Sequence, residues 1–341
     1  MATIRDVAKR AGVSISTVSY ALTRERPITD EARDRVLEAV RTLGYRGNSV
    51  ARSLKTGRTM ILALVIPDIL NPFFTLVARG AEDCARERGY SLVLCNTMVD
   101  PDREEEYLWL AQSRRVDGVI YMPGSGASHP VLNELAHQGF PIVVIDEQVP
   151  DVESASIFVD NFSGGQLVGR HLGELGHRTV GIIGGPPQLS TVPARLRGAL
   201  AGLAEWGVTV PSDYIVYGDY EIESGRAAMR RLLQIDGVTA VFAANDMMAI
   251  GALQEARDQT LAVPEDLSVV GFDGIPFAAM ISPALTTVEQ PALHMGGLAV
   301  DLLLKELARD GEYSRHITLE THLHIRASTA PPRSRRTLSA S

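Results

Sequence analysis

At 341 residues and 45% hydrophobic, the chain is longer than one ordinary core sustains, which predicts a small unit joined to a body of one or two lobes. The net charge of −8 hides an asymmetry. Residues 1–58 hold 12 Lys+Arg against 6 Asp+Glu, net +6, and the remainder holds 21 against 35, net −14. A basic head on an acidic body suits neutralisation of DNA phosphates at one end only. The start has no basic stretch followed by an apolar run, and no span of about eighteen apolar residues occurs, so export and membrane insertion are not indicated and a cytoplasmic location is expected. Cys84 and Cys95 are too few for a metal cluster; one falls on an apolar helix face and the other in an apolar strand, as buried reduced thiols do.

In chain order, Thr3 caps a helix whose apolar positions Ile4, Val7, Ala8 and Ala11 recur at helical spacing, and Gly12 ends it. Ser14 caps a second helix in which Val18, Ala21 and Leu22 face the first and Val13 fills the corner. Ile15, Ser16 and Tyr20 are left outward, where a recognition helix meets base edges in the major groove. A third helix over Asp30–Leu43 buries Val36, Leu37, Val40 and Leu43.

From Thr59 onward strands and helices alternate. Strands are expected over 60–66, 91–95, 118–121 and 141–145, then over 179–183, 213–217, 240–243 and 267–271, all short and apolar as in parallel sheets buried on both faces. The α/β pattern gives two doubly wound lobes, with a ligand at the carboxyl ends of the strands and in the cleft between lobes. Asp146 and Asp273 stand at two such strand ends, where a carboxylate needs solvent, a hydroxyl-bearing ligand or a helix to cap. Of Asn245 and Asp246, Asp246 is expected to cap the following helix and Asn245 to reach the ligand.

Val13-Ser-Ile-Ser-Thr17-Val-Ser19 and Asn48-Ser-Val-Ala51-Arg-Ser-Leu54 together make the chain resemble the lactose/galactose repressor family of bacterial transcription regulators, from the head to about Thr329. The resemblance implies a helix-turn-helix domain over 1–46, a hinge helix and linker over 47–58, a two-lobed effector-binding and dimerisation domain over 59–330 built like periplasmic sugar-binding proteins, and a disordered tail over 331–341. It implies three crossings between lobes, near residues 160, 290 and 322. Thr3, Ser14, Ile15, Ser16, Thr17 and Tyr20 are then DNA-binding, and Asn48, Ala51 and Leu54 lie in the minor groove, with Leu54 as the wedge between base steps. Effector contacts fall to Phe73, Phe74, Asp146, Thr191, Arg195, Tyr220, Asn245 and Asp273; Thr191 and Arg195 are placed in a loop and first turn, and Arg197 at the surface. Phe73 and Phe74 are equally compatible with the core.

Three departures limit the transfer. Tyr20 stands where many members have an arginine, Gly47 replaces a common proline, and the tail lacks an apolar heptad, which favours a homodimer over a tetramer. Other constellations fall short: Gly184-Gly-Pro-Pro187 has neither dinucleotide nor phosphate-loop spacing, Gly124-Ser-Gly126 is no nucleophile elbow, and His322 and His324, alternating on a strand, lack a third metal ligand. The sequence therefore reads as a repressor without enzymatic activity and without a cofactor. It would bind double-stranded operator DNA under control of a small-molecule effector, a sugar in preference to a purine. The alternatives are a purine-responsive regulator and a sugar-binding transport component.

Overall fold

A computed structural model describes residues 2–23, 26–45, 57–125, 130–309 and 313–333. The chain divides into two compact units, residues 1–59 and 60–341. In the first, α1 (Ile4–Ala11), α2 (Ile15–Thr23) and α3 (Asp30–Leu43) close on one small core of Val7, Ala8, Ala11, Val18, Ala21, Val36 and Ala39. Gly12 ends α1 at φ 66, a conformation that would strain any residue with a Cβ. Leu37 does not join this core as expected; the buried positions of α3 are Ala32, Val36 and Ala39, with Val40 and Leu43 partly buried against the core. The expected hinge helix, with Asn48, Ala51 and Leu54, lies outside the described residues.

The second unit contains two six-stranded sheets. In one, β1 (Ile61–Ile66), β2 (Ser91–Asn96), β3 (Gly118–Tyr121), β4 (Ile142–Ile145), β5 (Ala155–Val159) and β11 (His316–Leu319) are parallel in the order β11-β5-β4-β3-β1-β2. In the other, β6 (Val180–Gly184), β7 (Ile215–Tyr217), β8 (Ala240–Ala243), β9 (Ser268–Asp273) and β10 (Thr286–Glu289) are parallel, and β12 (His322–His324) closes the edge antiparallel to β10. Helices α4 (Pro72–Glu87), α5 (Pro101–Gln112) and α6 (Pro130–His137) belong to the first lobe; α7 (Asn161–Glu174), α8 (Thr191–Ala204), α9 (Ile222–Leu232), α10 (Asp246–Asp258) and α11 (Pro276–Met280) belong to the second. The strand after each lobe's first strand goes to the edge and the next returns to its other side. That order reverses the direction of winding and opens a crevice at the carboxyl ends of β1 and β3, and again at those of β6 and β8.

The chain passes from the first sheet to the second between β5 and α7, at Asp160. It returns after β10, through Gln290 and Pro291, into α12 (Ala292–Ala308), which packs on α4, and passes over again between β11 and β12 at Glu320–Thr321. Three expectations need correction, and three strands were not expected. The segment 91–95 is an edge strand with Val93 and Leu94 exposed, not a strand buried on both faces. The segment 213–217 opens as a 3-10 turn over Ser212–Tyr214 and is a strand only from Ile215, again at an edge where burial does not enforce extension. Strands β5, β10 and β11 carry too few consecutive apolar residues to stand out by pattern. Pro331–Arg333, assigned to the tail, are placed by an ion pair from Arg333 Nη1 to Asp266 at 2.6 Å.

Helices α7 and α8 cross backbone to backbone. A Cβ at Gly165 would run into the carbonyl oxygen of Arg195, and one at Gly198 into that of Phe162. The added methyl in Gly165→Ala has no flexible neighbour to displace, so the variant should lose about 2 kcal/mol or more of stability in urea unfolding. Wild-type stability in that variant would show that the two helices part freely.

Candidate functional site

In the head, the polar side chains sort into caps and face. Thr3 accepts from the Asp6 amide while Asp6 accepts from the Thr3 amide at 2.8 Å, a reciprocal capping box. Ser14 Oγ accepts from the Thr17 amide at 3.0 Å and bonds the Thr17 hydroxyl at 2.8 Å, so both secure the start of α2. Ile15, 45% exposed, and Ser16 project from its first turn. Tyr20 is half-buried, with the Arg26 guanidinium 5.3 Å from its ring centroid. A short helix with an apolar and a hydroxyl side chain projecting at its start is shaped for a groove.

In the body, the strand ends converge on a small, nearly closed pocket between the two sheets, with about 30 Å3 of space open to a water-sized sphere. After β1, Asn71 caps α4 by accepting from the Phe73 amide at 3.0 Å, with Pro72 at the first helical position. Phe73 is 3% exposed and belongs to the core; half-buried Phe74 meets it edge-on with ring centroids 5.4 Å apart. Both rings line the pocket, Phe73 from its buried side.

After β4 the backbone turns sharply. The Glu147 amide donates to the Ile145 carbonyl at 2.9 Å about Asp146, whose φ is 70. This is a γ-turn of the rarer, strained hand. Tyr220 and Asp273 also adopt positive φ, 74 and 114, so three pocket residues store backbone strain that only surrounding contacts can hold.

Arg195, 4% exposed, comes from the second turn of α8. Its Nε donates to Asn161 Oδ1 and its Nη1 to the Ala244 carbonyl, each at 2.7 Å; Nη1 also lies 3.5 Å from Asp273 Oδ1, and the guanidinium carbon stands 3.9 Å from the Phe272 ring centroid. Asp273 in turn accepts from Gln290 Nε2 at 2.8 Å. Tyr220 OH meets the Thr191 hydroxyl at 3.3 Å, and the Tyr220 carbonyl accepts from Asn245 Nδ2 at 3.0 Å.

Three carboxyl groups, Asp146, Glu147 and Asp273, thus share a cleft with a single guanidinium. Burial, reinforced by the charge of Glu147, pushes Asp146 up to about 8 against the pull of Arg195, and burial pushes Asp273 up to about 6. Asp146 therefore holds its proton at neutral pH, and its Oδ1 is buried with no hydrogen-bond partner among the described residues, as is Gln290 Oε1. Orphaned buried polar atoms beside a cavity mark where a polar ligand would complete the bonding. Among the described residues no cluster of His, Cys, Asp or Glu could hold a metal ion, and no helix is long and apolar enough to cross a membrane.

All eight sequence-predicted effector residues border this pocket. Two local assignments change. Thr191 begins α8, so the stretch from Thr191 to Arg195 is helical throughout and the loop ends at Ser190; Arg197 is exposed. Asn245, not Asp246, caps α10, by accepting from the Met248 amide at 2.9 Å. Asp246 is fully buried and accepts from the Thr287 hydroxyl at 2.5 Å and the Ile275 amide at 2.8 Å, which ties α10 to β10 and to the turn after β9. Glu147, Asn161, Asn71 and Gln290 were not singled out in the sequence. Asn71-Pro72 was a readable cap signal and Glu147 adjoins Asp146, but nothing local distinguishes Asn161 or Gln290.

The family model for bacterial regulatory proteins, lacI family, matches residues 3–48, and that for a periplasmic binding protein-like domain matches residues 170–329. The HTH-type transcriptional repressor PurR of Proteus mirabilis is 39% identical over 332 residues, 97% of each chain, and that of Klebsiella pneumoniae strain 342 is 38% identical over 336 residues, again 97% of each. The chain belongs to the lacI family. This lacI-family protein is a DNA-binding transcriptional repressor under effector control, with the helical head and two parallel-sheet lobes of its relatives. The transcriptional regulator CelR–cellobiose complex matches it at a TM-score of 0.72 and 32% identity, over 96% of this chain and 100% of that one. The lac repressor dimer bound to operator and the anti-inducer ONPF, at 24% identity, has the same fold at a TM-score of 0.83 over 96% of this chain and 99% of that one.

The raised Asp146 carries a stability cost with a defined sign. Its ordinary value is 3.8, so from about pH 4 to 8 the folded chain must keep a proton that the unfolded chain releases, and stability falls across that window. Asp146→Asn should raise stability at pH 7.5 by about 1 kcal/mol or more and flatten the melting temperature between pH 5 and 8. An unchanged pH profile would place the Asp146 proton elsewhere.

Proposed function

We propose that this repressor binds its operator as a homodimer and responds to a sugar or closely related polyol held in the cleft, with no chemical turnover of its own. The observation that carries the sugar reading is the polar lining: the carboxyl groups of Asp146 and Asp273, the Gln290 amide and the Arg195 guanidinium surround a small cavity walled by Phe73 and Phe74, and Asp146 Oδ1 and Gln290 Oε1 are left for a ligand to meet. Clustered hydroxyls satisfy carboxylates and amides together, and an aromatic wall takes a sugar's apolar face. Structural relatives bear on it as well. One is the cellobiose complex of CelR; another is a lacI-family regulator of Enterococcus faecium with bound ribose, 32% identical over 80% of this chain and 99% of that one at a TM-score of 0.70. A purine-responsive regulator is the second reading, favoured by the PurR relatives. A sugar-binding transport component is not supported, since such a protein has no use for a helix-turn-helix head.

On the DNA side, Ile15, Ser16 and Tyr20 would read base edges, with Thr3, Ser14 and Thr17 securing the helix starts near the phosphates. The segment containing Asn48, Ala51 and Leu54 would form the minor-groove hinge of each protomer. A dimer neutralising roughly 8 phosphates should show a log K against log salt slope of about −7. Affinity indifferent to salt, or equal affinity for random duplex, would sink this reading.

A thermal-shift panel of monosaccharides, disaccharides and purine bases separates the two effector classes. A ligand at 100 times its Kd should stabilise the protein by about 2.7 kcal/mol. We expect a sugar to do so and purines not to, and a purine alone doing so overturns the sugar reading. Arg195→Ala should abolish the shift, because it removes the one guanidinium that lines the cleft together with its bonds to Asn161 and Ala244. Calorimetry showing that sugar bound as tightly by the variant would put the pocket elsewhere.

A further inference from the structure

Glu147 belongs to the first lobe, two residues past β4, yet every side-chain hydrogen bond it makes is to the second. Its Oε2 accepts from the Ser190 hydroxyl at 2.6 Å and from the Thr191 amide at 3.1 Å, and its Oε1 accepts from the Thr191 hydroxyl. The Gln148 amide completes the contact by donating to Ser190 Oγ at 3.0 Å. Ser190 occupies the N-cap position of α8 but its side chain makes no cap bond to that helix. The cap is supplied instead by a carboxylate from the other lobe. First-turn amides have no intrahelical acceptor, and the positive end of the helix dipole favours an anion there, so the exchange is energetically apt. The strained turn at Asp146, with φ 70, aims the side chain across the cleft. Glu147 is 4% exposed and, among the described residues, no Lys or Arg pairs with it, so these bonds account for its burial.

We infer that Glu147 is a clasp: a positioning residue that holds the two lobes closed over the pocket before any effector arrives, by capping the helix that carries Arg195. Parting the lobes exchanges three charge-assisted bonds and a helix cap for hydration, so the clasp biases the free chain toward the closed arrangement. The effector then meets a site whose second lobe is already in register, and its apparent affinity is reduced less by the cost of closing. Its importance for regulation rests on the cleft being the effector site. The clasp itself does not, and it is tested with the protein alone.

The experiment uses the full chain with spin labels at Glu105→Cys in the first lobe and Ala227→Cys in the second, in a Cys84→Ser background, both label sites being exposed. Pulsed electron resonance should give one narrow interlobe distance for the parent protein. Glu147→Ala should shift it to a longer, broader distribution and speed amide exchange over residues 190–193 about tenfold or more. Thr191→Val removes one partner from the opposite lobe and should move the distance the same way. The double variant should go no further than Glu147→Ala, since both act on one contact. Glu147→Gln, which keeps the shape and one acceptor, should fall between. A distance distribution in Glu147→Ala identical to the parent's overturns the clasp, as do additive effects of Glu147→Ala and Thr191→Val. Because no effector is added, failure of the sugar reading leaves the result standing, and failure of the clasp leaves that reading untouched.

Discussion

The buried guanidinium of Arg195 ties together segments of this body that are far apart in sequence. A charge that is 4% exposed persists only if its donors are matched, and the matching partners lie on segments far apart in sequence: Asn161 at the first crossing between lobes, Ala244 at the end of β8, and Asp273 at the end of β9. Asp273 is held by Gln290 at the second crossing. Two of the three strands of chain that join the lobes are thereby wired to the floor of the pocket. A ligand that draws on Arg195 or Asp273 changes hydrogen bonding at the hinges in the same event, so occupancy and lobe orientation share one network.

The same region is poor in intrinsic stability. Asp146, Tyr220 and Asp273 all sit at positive φ, and two carboxyls are pushed up toward neutrality by burial. Elsewhere in the body, strands such as β3, β4, β8 and β9 are buried along their whole length. The strain and the two unpartnered polar atoms at these strand ends are held in place by the apolar sheets behind them.

Much of this was legible in the sequence because it was written locally. Helix starts at Thr3 and Ser14, the stop at Gly12 and the span Asp30–Leu43 follow from capping and period, and buried parallel strands announce themselves as apolar runs. Asp146, Arg195 and Asp273 were placed in one cleft by strand-end logic joined to a family pattern. What escaped was non-local. Leu92, Val93 and Leu94 look like any core strand, and only the strand order makes them an edge. Asn245 and Asp246 are both competent caps, and the choice between them was made by Thr287 and the Ile275 amide, which reach Asp246 from 41 and 29 residues away. Glu147 acquires its partners 43 and 44 residues downstream in another lobe, a pairing that no window of sequence contains.

The glycines between α7 and α8 have a mechanical side. With the Gly165 and Gly198 backbones against carbonyl groups of the opposite helix, no layer of side chains separates the two rods to absorb a small displacement. They behave as one stiff beam. One end of that beam carries Thr191 and Arg195 at the pocket, and the other helix begins at Asn161, beside the first crossing. A displacement of Arg195 would therefore reach Asn161 at the first crossing with little loss, where a cushion of leucines between the helices would have absorbed it.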